Sequence, residues 1–232
     1  MLTLERIEIR QPSFRLDADF SVSTGLITAL IGPSGAGKSS LLSIIGGFYT
    51  PASGRVLWNN SDISTLAPGA RPCATLFQDN NLFPHLTVAA NVGMALTTDM
   101  RLTPAQSEQV TAALSQVGLA DMGTRKPATL SGGQQARAAL ARALLQDRPL
   151  VLLDEPFSAL GPALKAEMLD LVRDTLAAAG RTVLMVTHDP ADALRIADEI
   201  LFVADGTVTG PHPTRELLDD PPPALRAYLG AK

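Results

Sequence analysis

The chain has few of the features that mark a secreted or membrane-embedded protein. Its 232 residues contain a single cysteine, so an internal disulfide is excluded and a reducing compartment is favoured. No stretch approaches the roughly twenty uncharged apolar residues that cross a bilayer. The first six residues also lack a basic segment followed by an apolar one, which a secretory signal would have. Any association with a membrane is therefore expected to come through partners.

A basic excess, internal repeats and low-complexity segments are missing as well. The chain carries 23 acidic and 19 basic residues, for a net charge of −4. Nucleic-acid-binding domains are usually basic, so we expect no nucleic-acid partner. Hydrophobic residues make up 46% of the chain, which is ample for a core. The length fits one domain with a lobe attached to it.

A phosphate-binding loop follows the first long apolar run. It matches the pattern G-x-x-x-x-G-K-[ST] without a gap and is followed by Ser40. Its residues are Gly32, Pro33, Ser34, Gly35, Ala36, Gly37, Lys38 and Ser39. The glycines let backbone N–H groups converge on phosphates, Lys38 is expected to reach the β- and γ-phosphates, and Ser39 to ligate Mg²⁺. The apolar run before the loop and the helical pattern after it give the strand–loop–helix order that an ATP site requires.

An acidic pair follows a second apolar run, at residues 150–153. Such a run is typical of a strand that is buried on both faces of a parallel sheet. It places Asp154 and Glu155 at the carboxyl end of the strand, where open α/β sheets hold their sites. We expect Asp154 to hold Mg²⁺ and Glu155 to act as the general base that activates the attacking water.

Two further polar residues also end predicted strands. His188 follows the apolar residues 182–187 and should emerge beside the acidic pair, within reach of a γ-phosphate. Gln78 follows residues 75–77 and could approach the metal or its water. Neither residue is distinctive by itself, and each could equally be structural.

Residues 130–134 read Leu-Ser-Gly-Gly-Gln and form a second candidate anion site. A Ser-Gly-Gly turn that opens a helix presents free backbone N–H groups and the positive end of the helix dipole. Because the chain already has a phosphate-binding loop, two such loops suggest a site that another subunit completes. The alternative is an ordinary surface loop with a helix cap.

The order of these motifs resembles that of ABC transporter ATPase subunits over nearly the whole chain. Residues 48–54, 76–88 and 156–160 are also similar to the ATPase of bacterial thiamine importers. The resemblance implies an importer ATPase that energises uptake of thiamine or its phosphates. Importers of iron, a polyamine or another anion remain alternatives, as does a soluble ABC ATPase acting on DNA or ribosomes. A P-loop kinase would leave residues 130–134 unexplained.

The resemblance also implies an assembly. Two copies would face each other head to tail around two ATP molecules, with Ser131, Gly132, Gly133 and Gln134 of each copy at the γ-phosphate held by the other. His188 would sense the γ-phosphate, and Gln78 would link the nucleotide to the membrane subunit. A permease would dock near Asn80 to Pro84 at the cytoplasmic face of the bacterial inner membrane, supplied by a periplasmic substrate-binding protein. Leu82 and Phe83 could instead fill the local core.

Two positions depart from the family pattern. Gly161 stands where the family usually has an aspartate that helps to couple the two nucleotide sites. The coupling is therefore in question, whereas hydrolysis should survive because Glu155 is present. The family also stacks an aromatic ring on adenine, and Phe14 is the nearest candidate although its surroundings do not align cleanly.

The predicted fold is α/β, a P-loop NTPase of the ABC type with an N-terminal antiparallel β region and an inserted helical lobe. Residues 1–232 are expected to form one domain. Residues 1–78 and 148–210 would be the core, about 79–147 the lobe, and 211–232 a C-terminal tail. We expect residues 2–9 and 14–22 to pair as strands, and helices to begin after Thr103 and Ser131.

Overall fold

A computed structural model describes residues 1–11, 14–97, 99 and 101–230. Its strands are β1 (Leu2–Gln11), β2 (Phe14–Val22), β3 (Ile27–Ile31), β4 (Ser53–Trp58), β5 (Ser61–Asp62), β6 (Cys73–Leu76), β7 (Leu150–Asp154), β8 (Thr182–Val186), β9 (Glu199–Ala204) and β10 (Thr207–Pro213). Its α-helices are α1 (Lys38–Gly46), α2 (Val88–Gly93), α3 (Pro104–Gln116), α4 (Gly132–Leu145), α5 (Pro162–Val172), α6 (Pro190–Ile196), α7 (Thr214–Asp219) and α8 (Pro223–Leu229). Residues Arg173–Ala177 extend α5 by a π-helical turn.

The strands form one sheet in the order β5-β4-β1-β2-β10-β9-β3-β8-β7-β6. Strands β9, β3, β8, β7 and β6 are parallel to one another. Every residue of β3 and β8 is buried, as expected for the middle of a sheet covered on both faces. The carboxyl ends of these strands therefore meet at one edge, which is the edge the sequence predicted for the site.

The N-terminal strands form the antiparallel half of the sheet. β1 pairs with β2 from Leu2↔Val22 to Gln11↔Phe14 and with β4 on its other side. The predicted pairing of residues 2–9 with 14–22 is therefore confirmed. Alternation of buried and more exposed residues along β1 and β2 shows one face on the core, which is the usual pattern of an antiparallel sheet.

Helices α2, α3 and α4 pack together on one side of the parallel strands. Their contact is made by small and branched apolar side chains such as Val92, Leu114 and Leu140, all of them buried. The helices predicted after Thr103 and Ser131 are confirmed, and each starts with a capping box. α3 ends at Gln116 and α4 at Leu145.

A buried arginine fixes the end of the helix that follows the phosphate-binding loop. Arg71 donates to the carbonyl oxygens of Ile44 at 2.6 Å and Ile45 at 2.8 Å, at the C-terminus of α1. It also bonds the carbonyls of Ser64 and Leu66. These contacts satisfy helix carbonyls that have no partner within the helix. Gly47 must stay small beside it, because an added Cβ would lie 2.5 Å from the Arg71 side chain.

The C-terminal segment is packed on the sheet. The tail predicted from residue 211 begins inside β10, which pairs with β9 as far as Pro213↔Glu199. Leu217 of α7 and Leu225 of α8 are buried against Phe202 and its neighbours in β3 and β9. The last helix therefore ends close to the strand edge that carries the candidate site.

Candidate active site

The phosphate-binding loop leaves β3 at Ile31 and enters α1 at Lys38. Two of its glycines are required by close approach. An added Cβ on Gly32 would lie 2.1 Å from the carbonyl oxygen of Val203, and one on Gly37 would lie 2.3 Å from the Phe14 ring. Both also have positive φ, at 150° and 95°, which L-residues rarely adopt. The loop is therefore held against β9 on one side and an aromatic ring on the other.

The ammonium of Lys38 lies inside this loop. The residue is 6% exposed, and its Nζ donates to the carbonyl oxygens of Gly32 and Pro33, both at 2.8 Å. Burial lowers the pKa of Lys38, while the nearby carboxylates of Glu155 and Asp154 oppose that shift. The lysine thus sits among the loop's backbone groups and the acidic pair, as a phosphate ligand would require.

Ser39 and Asp154 form an oxygen-rich pair. The Ser39 hydroxyl donates to Oδ1 of Asp154 at 2.9 Å. Burial raises the pKa of Asp154, and Glu155 acts in the same direction, while the Ser39 hydrogen bond and Lys38 lower it. Within the described residues, no cluster of three or more His, Cys, Asp or Glu forms a metal cage. A hydroxyl and one carboxylate still suit Mg²⁺, which takes its other ligands from phosphate and water.

Glu155 and His188 are in direct contact. Nδ1 of His188 lies 3.0 Å from Oε2 of Glu155, because β7 and β8 are parallel neighbours. Glu155 has a positive φ of 44°, a conformation that costs energy for a residue with a side chain. Its N–H donates to the Val186 carbonyl at 3.2 Å. The backbone is therefore turned so that the carboxylate faces the histidine.

Gln78 reaches the same edge from β6. Its Nε2 donates to the Ser158 hydroxyl at 3.4 Å, and that hydroxyl donates to the carbonyl oxygen of Glu155 at 3.1 Å. Gln78 is thus connected to the backbone of Glu155 through Ser158 and has no hydrogen bond to Asp154 within the described residues. Its proposed part in metal binding would need a different side-chain position, and it stays a prediction.

Phe14 lies at the phosphate-binding loop. Its ring is the nearest group to Gly37 and packs against the core formed by β1, β2 and α1. An aromatic ring is therefore close to the loop, as the stacking role would need. Pro12 and Ser13 before it fall outside the described residues.

The Ser-Gly-Gly loop lies elsewhere, at the start of α4. The Ser131 hydroxyl accepts from the Gln134 N–H at 3.3 Å, and the Gln134 side chain accepts from the Ser131 N–H at 3.0 Å. An added Cβ on Gly133 would lie 2.4 Å from Leu164 of α5, whereas Gly132 has room. In the part of the chain that the structure describes, no hydrogen bond joins residues 131–134 to the phosphate-binding loop. The structure thus groups Lys38, Ser39, Asp154, Glu155, His188 and Gln78, and keeps residues 131–134 apart from them.

An ionic cluster next to His188 was not predicted from the sequence. Lys165 of α5 lies 2.8 Å from Asp189 Oδ2 and 2.7 Å from Asp192 Oδ1. The Thr187 hydroxyl donates to the other oxygen of Asp192 at 2.6 Å. These contacts tie both sides of His188 to α5. The acidic residues after His188 were visible in the sequence, but the lysine that joins them comes from a separate helix.

Gly161 is the N-cap of α5 and provides no side-chain cap. Its φ of −65° and ψ of 157° are ordinary extended values, and nothing lies within 4 Å of an added Cβ. The position therefore does not require glycine for steric reasons.

A groove lies between the sheet and the helical lobe, near Asn80 to Pro84. Phe48 and Phe83 line it and are 53% and 41% exposed, and Phe77 meets Phe48 edge to face at 5.3 Å. Leu82 instead packs on the core of the lobe. Of the two apolar residues that could have filled the core, Leu82 does so and Phe83 remains available.

The loop that carries Phe83 is held by buried polar contacts. Asn91 of α2 is fully buried and pairs with both backbone groups of Phe83, at 2.7 and 3.1 Å. Arg142 of α4 donates to the carbonyls of Asn80 and Asn81 at 2.9 and 2.8 Å. The loop is therefore fixed to two helices of the lobe.

In the described ranges, no helix is both long and apolar enough to cross a membrane.

Comparison with known proteins defines the class. The family model described as ABC transporter matches residues 16–158, and the chain belongs to this family. It is an ATP-hydrolysing cassette with a P-loop α/β fold. A nucleotide-free ATP-binding cassette from an ABC transporter superposes with a TM-score of 0.86 and 26% identity, covering 95% of this chain and 96% of that one.

Individual relatives are similar over their full length. The thiamine import ATP-binding protein ThiQ of Cereibacter sphaeroides is 57% identical over 99% of this chain and 100% of its own. The protein of the same name from Ruegeria sp. is 55% identical over the whole of both chains. A dimeric, post-hydrolysis cassette bound to ADP and Pi has a TM-score of 0.79 and 28% identity, covering 93% of this chain and 99% of that one.

Proposed function

We propose that this chain is the ATPase subunit of an importer for thiamine or its phosphates. The observation that carries the ATPase part is the strand edge where Lys38, Ser39, Asp154, Glu155 and His188 meet. The transported solute rests on relatives named for thiamine import, which match the chain from end to end.

The arrangement of these residues supports a part for each of them in hydrolysis. The loop's backbone N–H groups and Lys38 would hold the phosphates. Lys38 would exchange its two contacts with carbonyl oxygens for contacts with phosphate oxygens. Ser39 and Asp154 would hold Mg²⁺, which when bound neutralises charge on the β- and γ-phosphates. Glu155 would accept the proton of the attacking water, and His188, 3.0 Å from it, would bond the γ-phosphate.

A second copy of the chain would complete each site. Residues 131–134 present the N-terminus of a 14-residue helix, which favours an anion, yet within the described residues they bond no part of their own phosphate-binding loop. A head-to-tail dimer would place Ser131, Gly132 and Gly133 of one copy at the γ-phosphate held by Lys38 of the other. A related cassette forms a dimer with ADP and Pi bound, which supports this arrangement.

The groove at Phe83 would receive the membrane permease. An exposed aromatic anchor on a loop fixed by Asn91 and Arg142 suits a contact in which apolar anchors carry most of the binding energy. The chain would then lie at the cytoplasmic face of the inner membrane, held there by the permease. A periplasmic binding protein would act on the other side, and no nucleic acid would take part.

Reconstitution tests the solute. The chain is placed in proteoliposomes with its permease, and ATP hydrolysis is measured as binding protein loaded with thiamine, thiamine diphosphate or an unrelated solute is added. We expect stimulation and uptake with thiamine or its phosphates, and neither with the Lys38→Ala variant. Stimulation by a polyamine or by iron alone would contradict the assignment.

Substitution in the groove tests the docking surface. We expect Phe83→Asp to abolish co-purification with the permease while hydrolysis by the isolated chain is retained. The matched control is Leu194→Asp, on α6, because Leu194 is 55% exposed and lies outside the groove. Equal loss of binding in both variants would contradict the proposed docking site.

A further inference from the structure

The last helix reaches the candidate active site through one hydroxyl group. Tyr228 of α8 donates a 2.6 Å hydrogen bond to the backbone carbonyl of His188. The helix itself is anchored, because Leu225 is fully buried and the Tyr228 ring packs on Phe202 with 6.0 Å between ring centroids. The donor is thus supplied by an element that is fixed to the sheet.

The same phenol lies beside the phosphate-binding loop. Burial raises the pKa of Tyr228, the nearby backbone of Gly32 lowers it, and the carboxylates of Asp189 and Glu155 raise it. The net shift is upward, so the phenol stays protonated and able to donate at neutral pH. Gly32 follows β3 and His188 follows β8, and these strands are parallel neighbours. Tyr228 therefore sits where the two strand ends meet.

His188 needs support of this kind because packing does not fix it. Its side chain is 53% exposed. The residue itself lies two positions past the end of β8. Lys165 holds Asp189 and Asp192 from the α5 side. Tyr228 holds the carbonyl of His188 itself. The contact between His188 and Glu155 then depends on backbone that the tyrosine helps to fix.

We propose that Tyr228 is a positioning residue for ATP hydrolysis, which fixes the backbone of His188 and thereby its imidazole against Glu155 and the γ-phosphate. This inference rests on the roles proposed above for Glu155 and His188, and it does not depend on the transported solute. Among the described residues, the hydrogen bond of the phenol is to the His188 carbonyl, so Tyr228 acts on the reacting groups through His188.

The Tyr228→Phe variant tests the proposal because it removes the hydroxyl and keeps the ring on Phe202. We expect kcat for ATP hydrolysis to fall about three- to tenfold, the loss of one well-placed hydrogen bond. KM for ATP should change less than about twofold, and Tm by less than about 2 °C. A kcat equal to that of the wild type would overturn the proposal.

The chain offers a matched control in its other tyrosine. Tyr49→Phe makes the same chemical change at a residue just past the C-terminus of α1, and we expect its kcat to be unchanged. An equal loss of kcat in both variants would show a general effect of tyrosine removal and overturn the assignment. A drop in Tm that accounts for the lost activity of Tyr228→Phe would do the same.

A double-variant cycle separates this inference from the roles on which it rests. If Tyr228 acts through His188, adding Tyr228→Phe to His188→Ala should cause no further loss of kcat. Additive losses would show that the phenol acts independently of His188 and overturn the proposal. A His188→Ala variant with full activity would refute the role of His188 itself. Failure of thiamine to stimulate hydrolysis would refute only the proposed solute.

Discussion

The two regions proposed to contact phosphate, the strand edge and the start of α4, differ in how they are bonded. At the strand edge, Ser39 bonds Asp154 and His188 contacts Glu155 across elements that are far apart in sequence, while Lys38 bonds two carbonyl groups of its own loop. At the start of α4, the side chains of Ser131 and Gln134 bond only each other's backbone N–H groups among the described residues. The first region is assembled by folding of one chain, whereas the second is preformed as a helix end that faces outward.

The two regions therefore depend on the fold to different extents. In the proposed mechanism, phosphate binding and activation of water use groups that follow three strands, β3, β7 and β8, so they depend on the sheet. The Ser-Gly-Gly loop is held by its capping box, by the first backbone bond of α4 and by the close packing of Gly133 on Leu164. In the proposed dimer it would therefore serve a neighbouring copy without contacts to the site of its own chain.

The largest effect is expected from removing the charge of Glu155 at the strand edge. Glu155→Gln keeps the size of the side chain but cannot accept a proton, so we expect kcat to fall by about 10²- to 10⁴-fold. ATP should still bind and should hold two copies together, which size-exclusion chromatography with ATP would detect. Normal turnover in this variant would exclude Glu155 as the base.

The next largest effect is expected at the start of α4, where the Ser-Gly-Gly loop faces outward. Ser131→Arg places a bulky side chain at the helix N-terminus, and we expect at least about 100-fold slower hydrolysis with unchanged binding of ATP to the monomer. Gln109→Arg, on the exposed face of α3, is the charge control and should hydrolyse ATP normally. A weaker monomer affinity for ATP would indicate that residue 131 serves its own site.

A mixed dimer tests whether Ser131 of one copy and Lys38 of the other belong to the same site. One copy carries Ser131→Arg and the other Lys38→Ala, so both substitutions fall in one composite site and the second site stays intact. We expect measurable hydrolysis, well above that of a homodimer in which each copy carries both substitutions. Equal inactivity of the two dimers would contradict independent composite sites.

A smaller effect concerns stability and pH. Burial raises the pKa of Asp154 above its value in the unfolded chain, so keeping this carboxylate ionised at neutral pH lowers the free energy of unfolding. We expect Asp154→Asn to raise Tm by about 1–3 °C at pH 7, and to abolish Mg²⁺-dependent hydrolysis. The gain should shrink as pH falls through the raised pKa and vanish below the ordinary value of 3.8.

Asp174→Asn is the matched control for this prediction, because Asp174 is exposed on the π-helical turn after α5. We expect no comparable gain from it. A thermal shift assay from pH 3 to 8 would make the measurement, and a lower Tm for Asp154→Asn at pH 7 would contradict the argument.

The smallest effect is expected at Gly161, where the family usually has an aspartate. Gly161→Asp fits without steric conflict and can accept hydrogen bonds from the first turn of α5, so we expect a rise in Tm of about 1 °C. Differential scanning calorimetry would measure it, with Gly161→Ala as the control that adds a side chain without a cap. A fall in Tm for the aspartate variant alone would contradict the capping argument.

Local sequence patterns predicted most of the fold. The apolar runs before Gly32, Asp154 and His188 became buried parallel strands, because such runs can be satisfied only inside a covered sheet. The caps at Thr103 and Ser131 marked helix starts because their hydrogen bonds are local. The ending of the chain was less well predicted, since its helices form by packing against Phe202 and its neighbours.

The parts of the candidate site that were missed depend on tertiary contacts. Lys165 and Tyr228 lie on separate helices, and nothing in their sequence surroundings indicates that they meet the loop around His188. The different environments of Leu82 and Phe83 likewise follow from the packing of α2 and α4. Adjacent residues with similar hydrophobicity could not be told apart before those helices were placed.

The position of Lys38 has a consequence for which ligands the loop selects. Because its ammonium already bonds two carbonyl oxygens of its own loop, an incoming anion must replace both contacts before it gains anything. A single inorganic phosphate offers little beyond that exchange. A nucleotide brings several phosphates and a base together, so we expect this exchange to favour binding of a nucleotide over binding of free phosphate.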